Sequence, residues 1–533
     1  MSKKRVAYFY DYDIGSFYYA TKHAMKPNRI RMAHELILGY GIYKKMEIYQ
    51  PHRSSILEMQ RFHSKEYVDF LSKVNPFNEE EYEEEKYLYN VGQDCPIFEN
   101  MFEFSQISAG GSVAGAIKLN NNLADIAINW AGGLHHAKSK QASGFCYIND
   151  IVLGILELLK FFPRVLYIDI DIHHGDGVEE AFYKTDRVMT CSFHKYGDGY
   201  FPGTGNIKDT GLDNGKYYSV NYPLLDGIYE KEYIEYFKKV INGINVCFRP
   251  SAIVMQCGAD SLAGDRLGCF NLQIKGHGKC VSFVKELGVP LLILGGGGYT
   301  PKNVAKCWTY ETSVLTNVSD LSEKLPETEY TSYFGENDNL LELDIKTTHI
   351  DKNTKRYLEE TYAELSQNLR VIKGAPSVRM ELAPHNNLIK NYEFIEKEFV
   401  EEKLPDVRIH PIIFNKLIQA NNEFEEDLDY DLKYFIQPNS QYRETILKKE
   451  PIFNFDDIKN EKALFPITND EKVVLKRSYA FDTSNQVEDS YEINPNSRNQ
   501  DENQENLVKK RRTNSSKTLS SQNQESTKKP IDK

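Results

Sequence analysis

The sequence predicts an α/β protein built on a parallel sheet covered by helices, and three observations carry that prediction. Short β-branched runs alternate with Gly-containing loops and helical patterns from the start of the chain to about residue 382. Nearly every apolar run passes at once into a polar or Gly-rich motif. The chain has 533 residues, 41% of them apolar and 12% aromatic, enough to bury a large core.

In chain order, the runs expected as strands are VAYFY (6–10), ADIAINW (124–130), VLYIDIDI (165–172), VMTCSF (188–193), AIVMQC (252–257) and VPLLIL (289–294). A helix is expected at DIVLGILELLKFF (150–162), where apolar residues recur at helical spacing. The pattern then loosens. Residues 383–483 read as an acidic, partly structured extension with short helices at most. Residues 484–533 form a polar tail with hardly an apolar residue, expected to stay disordered. Inside it KKRRT (509–513) has the composition of a nuclear import signal.

Composition excludes several classes. The opening MSKKRVAYFY is too polar for a signal peptide, and no run of about 18 apolar residues could span a bilayer. Eight cysteines without CxxC pairs fit reduced thiols in cytosol or nucleus. A net charge of −12 argues against nucleic-acid binding by the chain as a whole and suits a basic partner such as a Lys-rich peptide. The acidic run EEEYEEEK (79–86) has the ordinary reading of a solvated helix face.

Chemistry is concentrated where strands end. INW runs into AGGLHH, VLYIDIDI into HHGDG, VMTCSF into HKYGDGYFPGTG, AIVMQC into GADSLAGD, and VPLLIL into GGGGY. In open parallel sheets ligands bind beyond the carboxyl ends of the strands, so these five loops should converge on one site. In YIDIDIHH the period of a strand puts Ile168, Ile170 and Ile172 on one face and Asp169, Asp171 and His173 on the other. Carboxylates two residues apart lie about 7 Å from each other and, at an effective dielectric of about 20, repel by roughly 2 kcal/mol. A bound cation removes that penalty. Asp171 and His173 are therefore expected as metal ligands, with Asp260, at the tip of another buried strand, as the third. The set suits Zn²⁺ and also Fe²⁺ or Mn²⁺. His135 and His136 read as acid/base groups, with Asp169 and Asp176 left over to orient them. Tyr299 follows four glycines but lacks the third glycine of a dinucleotide fingerprint, Thr300 standing there, so its phenol is assigned to a developing oxyanion.

Together GLHHAKSKQASGFCYIND, YIDIDIHHGDGVEEAFY, SFHKYGDGYFPGTG, QCGADSLAGDRLGCFNL and LILGGGGYT closely resemble class I histone deacetylases, nearly continuously from Val6 to Met380. The resemblance implies a three-layer arginase/deacetylase fold, with about eight parallel strands between helices, and makes 1–382 the catalytic domain. It implies Zn²⁺-dependent hydrolysis of acetyl-lysine in histone tails. Asp171, His173 and Asp260 would bind zinc and Tyr299 would polarise the acetyl carbonyl. His136 would be the base and then the acid, and His135 would assist electrostatically, with Asp169 and Asp176 as their carboxylates. Gly144, Phe145, Phe201 and Leu267 resemble the tunnel walls, and Asp94 the rim carboxylate that holds the substrate backbone. Oxygens at Asp169, Asp171, His173, Ser192 and Phe193 match one potassium site, and those at Phe182, Thr185, Val188 and Tyr218 a second. A basic pocket for inositol phosphate, shared with a corepressor, is matched by Lys26 and Arg266, while Lys302 stands where Arg is usual and loses bidentate contact. The segment DYDIGSFYYATKHAMKPNR (11–29) also departs from the family's glycine-rich form.

The implied partners are acetylated histone tails and corepressor subunits, with no sequence-specific nucleic-acid contact and no membrane, in the nucleus and also the cytoplasm. Competing readings are an acetylpolyamine amidohydrolase, a Mn²⁺ ureohydrolase, against which the HH pair and GGGGY tyrosine speak, and a non-catalytic scaffold recruiting through its acidic surface and tail.

Overall fold

The computed structural model describes residues 4–372, apart from 198, 336, 337, 346 and 347. The domain boundaries expected at 382 and 483, and the basic cluster at 509–513, lie outside the described residues.

Eight strands form one parallel sheet: β1 Val6–Phe9, β2 Glu47–Tyr49, β3 Ile126–Asn129, β4 Val165–Asp169, β5 Val188–Lys195, β6 Ser219–Leu224, β7 Ala252–Gln256 and β8 Leu291–Leu294. Their order is β2-β1-β3-β8-β7-β4-β5-β6. All six expected strands are present. The two that sequence reading missed are the sheet's edges: β2 has three half-exposed or exposed residues, and β6, SVNYPL, carries Pro223, which an edge strand tolerates because one side of its ladder is free.

Alternation along the buried strands feeds two apolar cores. Leu166 and Ile168 of β4, Ile253 and Met255 of β7, and Leu291 and Ile293 of β8 join one core. Their alternates Val165, Tyr167, Ala252, Val254, Leu292 and Leu294 join the other. A parallel sheet must be covered on both faces, and here helices Asp150–Leu158 and Asp176–Phe182 cover one, while Asn28–Gly39, Glu230–Cys247, Ile274–Glu286 and Pro301–Thr316 cover the other. The expected 150–162 helix is regular α-helix only over Asp150–Leu158, with Asn149 accepting from Val152 N at its start. The Met101–Asn120 helix approaches the sheet so closely that a Cβ on Gly115 would meet Leu292 at 2.8 Å.

One correction concerns the DxDxH segment. Strand β4 ends at Asp169, so Asp171 and His173 stand in the loop beyond it and not on the strand. Side chains compete for the backbone there: Asp169 Oδ1 accepts from Asp171 N at 3.1 Å and Asp171 Oδ1 from His173 N at 3.0 Å, an i to i+2 pattern that breaks the ladder. Ile170 and Ile172 still fall into the apolar core, so the expected division of faces survives the end of the strand.

The EEEYEEEK run is an exposed 3₁₀ turn and short helix, Glu79–Tyr82 and Glu83–Leu88, in which Lys86 pairs with Glu83 at 2.8 Å. All eight cysteines are free, and among the described residues no helix is long and apolar enough to cross a membrane.

Candidate active site

Because all strands run the same way, the loops after β3, β4, β5, β7 and β8 leave from one edge of the sheet. There Asp171, His173 and Asp260 are fully or almost fully buried, and a ligand atom from each lies within 4.8 Å of the others. His173 Nδ1 is 3.2 Å from Asp171 Oδ1 and 3.0 Å from Asp260 Oδ2. The remaining carboxylate oxygens are held by the protein. Asp171 Oδ2 accepts from Gln256 Nε2 at 2.8 Å and from Gly297 N at 2.9 Å, and Asp260 Oδ1 accepts from Ile172 N at 2.9 Å. One imidazole and two carboxylates, oriented by such partners, are a donor set for a divalent ion.

Electrostatics agree with that fit. Burial and the adjacent Asp171 push the Asp260 carboxyl up to about 7. Burial opposes charge on His173, yet its bonds to Asp171 and Asp260 carry it up to about 10. Two acids so close in a dry pocket demand positive charge, and a divalent ion coordinated at the same atoms satisfies that demand.

Two histidine–carboxylate pairs stand beside the triad. His135 Nδ1–H donates to Asp169 Oδ2 at 2.8 Å, and His136 Nδ1–H donates to Asp176 Oδ1 at 2.7 Å. Both rings therefore keep Nε2 for other work. Their environments push them apart. Burial would neutralise His135, but Asp169 and Asp171 raise it to about 9. Burial and the neighbouring His135 lower His136 to about 3, which favours its neutral form. Asp176 is held well below the usual carboxylate range, against burial, by His136 and by Lys138, whose Nζ lies 2.7 Å from Oδ2.

Tyr299 is buried, its phenol pushed up by burial and by Asp260 and Asp171, so it remains a donor. Its backbone N–H is fixed on Asp265 Oδ2 at 2.6 Å. Phe145 packs edge-on against Tyr299, with ring centres 5.6 Å apart, and Phe201 edge-on against His136 at 4.9 Å. Phe201 and Leu267 are partly exposed, as residues at a mouth would be. Gly144 has φ +51°, and a Cβ there would strike His136 at 2.3 Å. Asp94 Oδ2 accepts from Gly144 N at 3.1 Å, which brings these two expected substrate-binding residues together.

The remaining expected residues fall as follows. Ser192 pairs in register with Asp169 across β5 and β4, with Phe193 next to it. Phe182 and Thr185 share a turn, Thr185 N donating to Phe182 O at 3.2 Å, just before Val188 opens β5, and Tyr218 O accepts from Thr190 N at 3.0 Å. Lys26 lies over the Tyr18 ring and Lys302 over Tyr333. Arg266 adjoins the Gly264–Asp265 turn, which binds Thr300 and Tyr299. Sequence reading missed Gln256, Gly297, Tyr167, Lys138 and Tyr200. Tyr167 donates to Asp169 Oδ2 at 2.6 Å, and Tyr200 stacks on His173 with centres 5.3 Å apart. All five sat inside the motifs at the strand ends, so their only signal was position.

A parallel sheet with paired histidines and a buried Asp/His/Asp triad at its carboxyl edge defines a hydrolase of the arginase/deacetylase fold. Residues 23–315 match the histone deacetylase domain model. The chain is 54% identical over 426 residues to Histone deacetylase 1 of Homo sapiens, covering 80% of this chain and 86% of that protein. It is 55% identical over 415 residues to Histone deacetylase HDAC1 of Drosophila melanogaster, covering 77% and 79%. With Histone deacetylase 9 of Arabidopsis thaliana it shares 52% over 432 residues, covering 81% and 99%. The chain belongs to the histone deacetylase family and is a deacetylase hydrolase. An alignment of 426 residues runs past Met380, further than the quoted motifs reach.

Proposed function

We propose that the chain hydrolyses the N6-acetyl amide of lysine in histone tails, releasing acetate and restoring the lysine amine, and so represses transcription through chromatin. The observation that carries this reading is the meeting of the buried Asp171–His173–Asp260 triad with two histidine–carboxylate pairs, His135 Nε2 lying 3.8 Å from Asp171 Oδ2 and the His136 ring 5.9 Å from that of His173. Asp171, His173 and Asp260 would hold the ion, zinc by family. Bound there, it supplies a Lewis acid for the carbonyl and acidifies water.

The chain's own residues do the rest. His136 Nε2 takes a proton from the attacking water and later delivers one to the departing lysine nitrogen, while Asp176 holds Nδ1–H and so fixes the tautomer. Tyr299 donates its phenolic proton to the oxygen on which charge develops. His135, held by Asp169, adds positive charge beside it. Gly144, Phe145, Phe201 and Leu267 take the apolar lysine stem, and Asp94 accepts from the peptide backbone at the rim. Potassium at the Asp169 and Phe182 sites, inositol phosphate at Lys26, Arg266 and Lys302, corepressor partners and a nuclear location extend the same family reading.

The test is acetate release from an acetylated histone peptide. His136→Ala and Asp171→Asn should each lower kcat by at least about 100-fold, and a chelator should abolish activity that added Zn²⁺ restores. Unchanged turnover in both variants refutes the assignment.

A further inference from the structure

Outside this site a second ionisable cluster is completely buried, and the chemistry above does not use it. His277, on the Ile274–Glu286 helix, is hydrogen-bonded through Nδ1 to Glu311 Oε1, on the Pro301–Thr316 helix. Cys307 Sγ lies 3.6 Å from the same nitrogen, and Glu311 Oε2 has no hydrogen-bond partner. The three side chains are near enough to one another to surround an ion. His277 and Glu311 nevertheless touch directly, whereas two ligands of one zinc stand roughly 3 Å or more apart. The other ring nitrogen faces a backbone atom: Nε2–H donates to Gly258 O at 3.1 Å.

A buried acid–imidazole pair is an expensive way to fill a core, since apolar side chains of equal volume are commonly as stable or more so. What it holds explains its presence. Gly258 sits two residues before Asp260, and it must be glycine because a Cβ there would lie 2.0 Å from Asp171 Oδ2. Glycine at that position leaves the chain leading to a metal ligand with the widest backbone freedom. The Gly258–Ala259 peptide is planar, its carbonyl and its N–H pointing opposite ways. His277 grips the carbonyl, and Gly297 O accepts from Ala259 N at 2.9 Å at the other end. One residue earlier, Trp308 Nε1 donates to Cys257 O at 2.9 Å. A carbonyl can only accept, so Nε2 must carry a proton. Glu311, by sharing the proton at Nδ1, keeps the ring in that orientation.

We propose that His277 and Glu311 are positioning residues for Asp260, which clamp the Gly258–Ala259 peptide that the Asp171 carboxylate obliges to contain glycine. The inference rests on the proposed metal-dependent reading. Three conservative variants of the full chain test it: His277→Asn, whose amide nitrogen replaces Nδ1 and leaves Gly258 O with only the longer, 3.4 Å bond from Ser261 Oγ; His277→Gln, whose amide nitrogen replaces Nε2; and Glu311→Gln, whose amide donates to Nδ1. Zinc affinity is measured by chelator competition, with kcat and KM for an acetyl-lysine peptide and a thermal melt beside it. His277→Asn should bind zinc about 10–100-fold more weakly and lose kcat with KM within about twofold, while the two glutamine variants stay within about threefold of the parent. Should His277→Asn fail to fold, the glutamine variants decide: impaired affinity in both overturns the clamp, and affinity near the parent's in both supports it. Unchanged zinc affinity and kcat in a folded His277→Asn overturns this inference alone. A parent chain that binds no zinc and releases no acetate overturns the metal reading and this inference with it.

Discussion

Asp176 is shared by two side chains: His136 Nδ1–H donates to one carboxylate oxygen and Lys138 Nζ approaches the other, each at 2.7 Å. The carboxylate is thereby kept ionised and directed at His136, the proposed base. Asp176→Asn presents an amide that can reverse its ends, so the Nδ1–H tautomer of His136 is no longer enforced. We expect kcat for acetyl-peptide hydrolysis to fall by at least about 100-fold with KM changed by less than about threefold. Lys138→Met, which removes charge but leaves the His136 bond, should cost much less, about 10-fold. Equal losses in the two variants would show that the tautomer is not what Asp176 supplies.

Gly144 lies between His136 and Phe201, the proposed base and tunnel wall. With φ +51° and a Cβ position 2.3 Å from His136 Cδ2 and 3.0 Å from Phe201, Gly144→Ala must move the imidazole or the phenyl ring. The left-handed backbone adds about 1 kcal/mol of strain. Expression of a folded protein with activity reduced by about 10–100-fold is the expected result, since displacements of about 1 Å have effects of that size. Activity equal to the parent's would place Gly144 away from the reacting groups.

His34 supplies a pH dependence of stability unconnected with catalysis. It is buried, accepts from the Tyr8 hydroxyl at Nδ1 over 3.1 Å, and stacks on Tyr10 with ring centres 3.5 Å apart. Burial and the charge of Arg31 lower its pKa to about 3. The unfolded chain then binds a proton below about pH 6.5 that the folded chain refuses. Stability from this group is complete above that pH and is lost as pH falls, by about 2.7 kcal/mol at two pH units lower. His34→Gln should flatten the decline of the urea midpoint between about pH 6.5 and 4.5. An identical slope in the variant would assign the decline to other groups.

Much of this was legible in the chain itself, for reasons that differ by residue. The buried strands β3, β4, β7 and β8 announce themselves because a strand covered on both faces must be apolar throughout. The edge strand β2 lacks that requirement, being half-exposed or exposed, while β6 is buried but mixes polar residues and Pro223 into its run. His135, His136, Asp171, His173, Asp260 and Tyr299 were readable because polar groups directly after apolar strands need a reason to be there. His277 and Glu311 were not, since each lies in an ordinary amphipathic helix and their pairing joins residues 34 apart. Lys138 follows His136 by two residues in the GLHHAK run, but only the fold brings it to Asp176.

The sequence by itself determined the class of fold, the edge of the sheet where the chemistry gathers and which residue types do it, because strand apolarity and loop polarity are local properties. The tertiary structure alone decided that β4 stops at Asp169, that burial and neighbours shift His135 upward and His136 downward, and that Gln256, Gly297 and Ile172 hold the Asp171 and Asp260 oxygens. Protonation and orientation depend on burial and on partners from distant segments, and neither exists until the chain has folded.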